Sequence, residues 1–536
     1  MHIIDSHSCL SIKVQSRGWF NRLLIGLAIL LSAALPLKAQ TNPLKAQTKK
    51  PPSVDKIVDN YVKALGGKKA VAAFVDATYE WDLQVDNQTA GTARLYRKAP
   101  ASERWELTLN NGQIISATNS RSAWELGIDK KMRTFTGADA AAAKLRGVLD
   151  ASHLVNFKKS NVLARVVSLG DLYSEPAYIV EFSTRAGARL QYYFSVKTGL
   201  ITKVTGDTFK TRDLFAEYRP EQTLVQPHQL KKRLEGVGDV TFTLRSVQYN
   251  SGLAENIFDP PGATENLDVI ALLREVGKNQ DETEKRVAEY AFKQTETDRQ
   301  IDTKGVLKKE TVKVYEVYPI ANREPVQKLI SENGVPLSPE KAAKEEKRVL
   351  EEFEKVERDR EKDEKESAKR KTERERKNRA AGEDTDEDPD ISQFLKVCEF
   401  VSPRREMFGD RDTIVFDFRP RAGFKPRNRE ESLIAKLVGV VWIDPVDKQV
   451  IRLEARLAEG FKMAGGLLVS LKPGAAMVME QTRMAEGVWL PRFAQVNLSV
   501  KVLLFGGGDY NKTIEWSDYR HFSGDVKDYK LEGPKP

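Results

Sequence analysis

Thr78-Tyr79-Glu80-Trp81-Asp82-Leu83-Gln84-Val85 is the stretch that decides the fold. Tyr79, Trp81, Leu83 and Val85 fall on one side of an extended chain. Thr78, Glu80, Asp82 and Gln84 fall on the other. Side chains of a strand alternate between its faces, so this pattern predicts a sheet with one buried and one wet face. The alternation returns in Trp105/Leu107/Leu109, Tyr178/Val180/Phe182, Leu190/Tyr192/Phe194 and Val240/Phe242/Leu244. Asn110-Asn111-Gly112 and Lys197-Thr198-Gly199 supply turns between such runs. Strands are therefore expected from just after Phe74 to about Val247.

Helices flank and interrupt these strands. Ser53 is a good N-cap, and Val54, Ile57, Val58, Tyr61 and Leu65 form one helical stripe that Gly66-Gly67 stops. A second helical stretch runs from Ala138 to about Ser152. The order helix, strands, helix, strands suits an α+β fold, an antiparallel sheet wrapped around helices. Pro260-Pro261 marks a boundary. After it come a stripe of Leu267, Ile270 and Leu273, strands around Tyr290–Phe292 and Val312–Tyr318, and further strands from Ile414/Phe416/Phe418 to Phe522. A chain of 536 residues is too long for one core. The expected organisation is a signal peptide at 1–39, a linker at 40–52, one domain at 53–259 and a second at 260–536.

One segment of the second domain differs from the rest. Ser338-Pro339-Glu340 is a strong helix start. Residues 340–379 then hold sixteen Lys/Arg and fourteen Asp/Glu, with a short apolar stripe of Val349, Phe353 and Val356. Spacing of four links Glu361 to Lys365, Glu366 to Arg370 and Glu373 to Lys377. This predicts a long charged helix over 339–380, docked only at its first turns, followed by an acidic loop over 381–390. Its near-zero local charge argues against nucleic acid.

The two halves share a strand–turn–strand feature. It reads Tyr193-Phe194-Ser195-Val196-Lys197-Thr198-Gly199-Leu200-Ile201 in the first and Val441-Trp442-Ile443-Asp444-Pro445 through Val450-Ile451 in the second. Val225-Gln226-Pro227 and Trp489-Leu490-Pro491 follow at a distance. With the N-terminal helix ending in Ala64-Leu65-Gly66-Gly67, these segments resemble the periplasmic lipoprotein-carrier superfamily (LolA/LolB-like), in two tandem copies. The resemblance implies incomplete, curved antiparallel barrels, each covered by helices, whose concave interior takes up acyl chains. Members carry lipoproteins to the outer membrane, and relatives act as sensors or bind other lipids. The charged helix and the tandem arrangement depart from the simple carriers.

The compartment is read from the N-terminus. Arg17 and Arg22 precede an apolar run from Leu23 to Leu35, then Pro36-Leu37-Lys38-Ala39, the order of a cleavable signal. The formal net charge is +9, of which residues 1–40 supply +3, and the rest is too dilute for a nucleic-acid face. The two cysteines are Cys9, inside the signal, and Cys398, so no disulfide is expected in the mature chain.

No catalytic constellation interrupts the strands. The histidines beyond the signal, His153, His228 and His521, read as ordinary surface or strand residues without a second ligand at metal spacing. Gly67-Lys68-Lys69 lacks the pattern of a phosphate loop, and Gly506-Gly507-Gly508 reads as a hairpin turn. No enzyme activity, metal or cofactor is expected. The candidates that remain are Trp81, Trp105, Trp124, Tyr192 and Phe194, either packed core or the wall of an apolar cavity, with Trp81 and Trp105 placed on neighbouring strands. The expectation is a non-enzymatic periplasmic protein that binds a lipid or lipoprotein acyl chains, with peripheral membrane contact. The alternative is a scaffold or sensor with filled cores, whose charged helix contacts an envelope protein.

Overall fold

The computed structural model describes residues 51–522, apart from residues 156, 173–174, 209–210, 235–236, 263–267, 288, 321–324, 357, 359–393, 395, 464–468 and 503–505. The signal, Leu267, the three spaced ion pairs of the charged segment and its acidic loop lie outside the described residues.

Helix α1 (Val54–Ala64) begins at Ser53, whose hydroxyl accepts a hydrogen bond from the Lys56 N–H at 3.3 Å. The cap satisfies one of the donors a helix start leaves open. Gly66 and Gly67, both at positive φ, end the helix before the short α2 (Lys68–Ala72). Six strands follow: β1 (Asp76–Val85), β2 (Gln88–Lys98), β3 (Ser102–Leu109), β4 (Gly112–Thr118), β5 (Ala123–Leu126) and β6 (Met132–Thr134). Helix α3 (Gly137–Ala151) leads to seven more: β7 (Leu163–Leu172), β8 (Glu175–Ser183), β9 (Arg189–Ser195), β10 (Ile201–Thr205), β11 (Arg212–Glu221), β12 (Leu224–Leu234) and β13 (Gly238–Tyr249).

These strands make one antiparallel sheet in the order β6-β5-β4-β3-β2-β1-β13-β12-β11-β10-β9-β8-β7. The first strand is zipped to the last, with Trp81 opposite Leu244 and Leu83 opposite Phe242. Register shifts in β1, at Glu80/Trp81 and Leu83/Gln84, bend the sheet as bulges do. Helix α3 touches β3, β4 and β5 on one side and β9 on the other, although β3 and β9 lie far apart in the sheet. The sheet therefore curls around the helix. It stays open, because its end strands β6 and β7 are not paired to each other.

The second half repeats this plan. Helix α4 (Val269–Val287) precedes β14 (Tyr290–Ile301), β15 (Leu307–Tyr318), β16 (Val326–Glu332) and β17 (Val335–Pro336). A helix over 339–356, α5, precedes β18 (Cys398–Phe408), β19 (Arg411–Pro420), the short α6 (Arg429–Ile434), β20 (Leu437–Asp444) and β21 (Gln449–Leu457). The small pair β22 (Phe461–Met463) and β23 (Val469–Leu471) stands off the main path, ahead of β24 (Ala476–Arg483), β25 (Trp489–Val502) and β26 (Gly506–His521). The order is β17-β16-β15-β14-β26-β25-β24-β21-β20-β19-β18, again with first strand against last. In each sheet a helix, α3 or α5, joins the two meanders. Even the repeated turn is built alike. Ser195 Oγ accepts from the Thr198 N–H at 3.2 Å, while Asp444 Oδ1 accepts from the Val446 and Asp447 N–H groups at 2.8 and 2.9 Å.

Several expectations are corrected. The buried stripe of α4 is Leu272, Leu273 and Val276, and Ile270 is exposed. Gly506, Gly507 and Gly508 lie inside β26, opposite Val502, Lys501 and Val500, so they are strand residues and not the turn. Trp81 and Trp105 are not on neighbouring strands, because β2 runs between β1 and β3. His153 is buried, edge-on to Phe74 with ring centroids 4.5 Å apart. The charged helix does dock as its stripe implies: Val349 and Phe353 are buried against Tyr318, Ile320, Val326 and Phe522, with Val356 at the edge.

The two halves meet through polar side chains. Edge strand β6 packs beside edge strand β18. Arg404 on β18 pairs with Glu406 at 2.7 Å and with Asp417 at 3.0 Å. Glu406 accepts from the Thr134 N–H and hydroxyl, each at 2.6 Å, and Asp417 accepts from the Ser122 hydroxyl at 2.7 Å. Arg185 of the first half reaches Asp509 of the second at 2.8 Å. Charges this deeply buried persist only when their partners satisfy them, and here each partner comes from the opposite half or from beside it.

Candidate functional site

All five predicted aromatics are buried, at most 8% exposed. Trp81, Trp105, Tyr192 and Phe194 share one apolar cluster of the first half, whereas Trp124 stands apart from it. Trp81 and Trp105 both set an edge against the Phe242 ring, at 6.4 and 5.7 Å. Phe194 packs on Tyr61 of α1 at 5.7 Å. The Trp124 indole N–H donates to the Phe258 carbonyl at 3.1 Å, which ties down the segment leaving the first sheet.

Charges cross this interior. Arg97 on β2 stands opposite Glu103 on β3 and pairs with it at 2.8 Å. Arg97 also reaches Asp150 of α3 at 3.2 Å. Asp150 accepts from Arg146 and, at 2.7 Å, from the Tyr192 hydroxyl. Arg146 continues to Asp213 on β11 at 2.8 Å, and Lys232 on β12 lies 3.5 Å from the same carboxylate. The Trp105 indole donates to Glu103 at 3.0 Å. One belt of ion pairs thus links helix α3 to four strands, and the Tyr192 hydroxyl of β9 joins it by a hydrogen bond. Burial alone would raise the Asp150 carboxyl, but Arg146 and Arg97 beside it outweigh that and hold it below the usual carboxylate range. Burial, with the Arg97 charge nearby, pushes the His153 imidazole down to about 4.

On the other side of Phe194 lies open space. A groove of about 360 Å3 runs between α1 and the turn from β9 to β10. Its floor is Ile57, Ala64, Tyr178 and Phe194. Its rim is Asn60 and Lys63 of α1 facing Val196, Lys197 and Thr198 of the turn. Gly199, at φ 75°, closes the turn where a Cβ would sit 3.2 Å from the Asn60 carbonyl, so the turn approaches α1 closely because no side chain intervenes. Among the described residues, no carboxylate lines the groove. The acids of α1 are engaged elsewhere, Asp55 with Lys158 at 2.5 Å and Asp59 with Lys68 at 3.2 Å. Of the five predicted aromatics, Phe194 lines this groove.

The belt and the groove rim were not singled out from the sequence. A signal for the belt was there: Arg97 is in phase with Ala93 and Leu95, and Glu103 with Trp105 and Leu107, so each places a charge at an inward position. The groove had no comparable signal, because Lys63 and Lys197 are far apart in the chain and ordinary in their local setting. Among the described residues, no three His, Cys, Asp or Glu gather as a metal site.

No family model matches this chain, and no curated protein matches it. Among solved structures it is similar to a DUF1329 family protein from Desulfovibrio piger, with 13% identity and a TM-score of 0.27 over 38% of this chain and 97% of that one. It is similar to a LolA superfamily protein from Nitrosomonas europaea, with 9% identity and a TM-score of 0.28 over 39% and 98%. It is also similar to the MucA/MucB complex of Pseudomonas aeruginosa, with 7% identity and a TM-score of 0.18 over 87% and 99%. The superfamily that the sequence resembles recurs among these matches. Strand order and curvature make this an α+β fold of open, curved antiparallel sheets.

Proposed function

We propose that this chain is a non-enzymatic binding protein of the periplasm that takes up the apolar part of a lipid or lipoprotein in its first domain. The observation that carries the reading is the groove between α1 and the β9–β10 turn. Its volume of about 360 Å3 falls in the range of small-ligand sites, roughly 300–1,000 Å3, and Ile57, Ala64, Tyr178, Phe194 and Val196 give its mixed lining an apolar part. The signal-like order of residues 1–39 supports export, and the aromatic interior behind Phe194 gives the groove a rigid back wall.

The test is native mass spectrometry of the full protein isolated from a periplasm. A lipid mass is expected on the wild type. It should be absent from Ala64→Trp, whose indole fills the groove from a partly exposed position. A clean apo mass for the wild type overturns the reading.

One observation favours a second function, a scaffold or sensor that contacts a protein partner through α5. The belt of ion pairs and the buried aromatics fill much of the first interior, as a solid core would require. A clean apo mass together with capture of an envelope protein through residues 340–379 would establish it.

A further inference from the structure

The groove has a charge as well as a shape. Lys63 and Lys197 stand on its two opposite walls, and neither forms an ion pair among the described residues. Beside them the rim presents the Asn60 amide and the Thr198 hydroxyl, while the floor is Ile57, Tyr178 and Phe194. The acids that α1 carries, Asp55 and Asp59, are turned to Lys158 and Lys68 and take no part in the rim. An apolar floor under an unneutralised cationic rim matches one kind of molecule, an acyl chain ending in an anionic head. We propose that the groove selects an anionic amphiphile, with Lys63 and Lys197 clasping the head from both walls and Phe194 backing the chain. This inference rests on the apolar-ligand reading above and adds the head-group charge to it.

The chemistry fits the positions. Lysine is a compact cation on a flexible stem, suited to meeting a carboxylate or phosphate at a wet edge without a fixed bidentate geometry. Its methylenes can lie along the apolar floor while the ammonium stays at the rim. Because both lysines are exposed, their contribution is moderate and screened by salt. Together they should be worth about tenfold in affinity at low ionic strength.

The experiment compares three probes on the full mature protein. Dodecanoate and dodecanol, below micellar concentrations, share a chain and differ in charge. Phosphatidylglycerol vesicles present an anionic head in a membrane. The wild type should bind dodecanoate about tenfold more tightly than dodecanol at low salt, and the gap should shrink in high salt. Lys63→Met with Lys197→Met should close the gap by weakening dodecanoate, while the paired Arg variants should keep it. Vesicle binding that depends on the same two lysines would assign the head to a phospholipid, and its absence to a free acid. Equal binding of dodecanoate and dodecanol by the wild type, or a gap that survives the double Met variant, overturns this inference and leaves the apolar reading standing. No uptake of any probe overturns both.

Discussion

In the first half, one large apolar cluster runs from Ile57 to Val247 beside a small one at Ala123, Phe135 and Ala140, and a belt of paired charges passes through the large one to hold α3. In the second half, the apolar side chains divide among separate clusters. One lies under α4 and α6, one under α5, and one on the opposite face of the sheet around Val415, Val440 and Trp442. Both sheets are two meanders with the first strand paired to the last, although the leading meander has six strands in the first half and four in the second. Topology is therefore set by turns and strand pairing, while the interior is set by what the inward positions carry. In the first half that produces a latched helix and a groove beside it. In the second it produces a sheet buried on both faces at β19–β21, one face of which supplies Arg404 and Asp417 to the junction. The helices α3 and α5 occupy equivalent places in the chain, but α3 adds a belt of buried charge to its apolar Leu145 and Leu149, whereas α5 docks through Val349 and Phe353 with rim contacts from Glu345 and Glu346 to β16.

The contrast can be broken at its two fasteners. Replacing Asp150 with Ala leaves Arg97 and Arg146 short of a buried carboxylate, which should cost about 3–5 kcal/mol. Phe353→Ala removes the ring that α5 sets against Tyr318 and should cost a similar ~3–5 kcal/mol. Hydrogen exchange resolved along the chain reads where each loss falls. Asp150→Ala should release residues 53–259 and Phe353→Ala the region around α5, each sparing the other half. If either variant releases both halves together, the polar junction at Arg404 and Glu406 makes them one cooperative unit, and the division drawn here fails.

Acid should sharpen the same contrast with a somewhat smaller effect. His153 stays neutral in the fold down to about 4, while the unfolded chain takes up a proton near the ordinary value of about 6.5. A folded pKa below the unfolded one contributes stability that is complete above about 6.5 and is lost as the pH falls toward 4. The full loss is about 3 kcal/mol. Asp150, held below its usual range, adds a further loss only at lower pH, as the solution falls through the folded value. The groups facing His153 are the Phe74 ring and the Arg97 and Asp150 charges, all in the first half. Denaturant melts at pH 7 and pH 4.5 should thus show the first half weakening more than the second. His153→Asn keeps a residue type that tolerates the positive φ of this position and should flatten the difference. An unchanged pH dependence in that variant would falsify the assignment to His153.

Much of this architecture is legible in the residues. Tyr79, Trp81 and Leu83 point inward as their alternation requires, and Ser53 and Gly66-Gly67 bound α1 as capping chemistry predicts. The stripe of Val349, Phe353 and Val356 identifies where the charged helix docks. What is not legible depends on partners distant in sequence. His153 reads as unremarkable until Phe74 closes over it. Gly506, Gly507 and Gly508 look like a turn, yet the register carries the pairing of β25 through them. Phe194 could be named from its strand, whereas Lys63 and Lys197 become a pair only when the β9–β10 turn folds onto α1.

The smallest effect is expected where the charge is densest. Val356 is the last large apolar residue before Ile391, and between them the sequence offers little beyond charged side chains and small residues. Exposed i,i+4 pairs stabilise a helix by only about 0.2–0.5 kcal/mol each, and that local gain does not reach the packing of a sheet. The docking of α5 is complete at Val349 and Phe353, upstream of the segment in question. Replacing residues 359–388 with a short Gly/Ser linker should therefore shift the unfolding of the second half by less than about 0.5 kcal/mol, the usual range for surface changes. A calorimetric scan of the variant beside Phe353→Ala makes the contrast direct: one keeps the fastener and loses the charge, the other does the reverse. A large loss in the linker variant would mean that the charged segment packs along its length, and that α5 is held by more than its first turns.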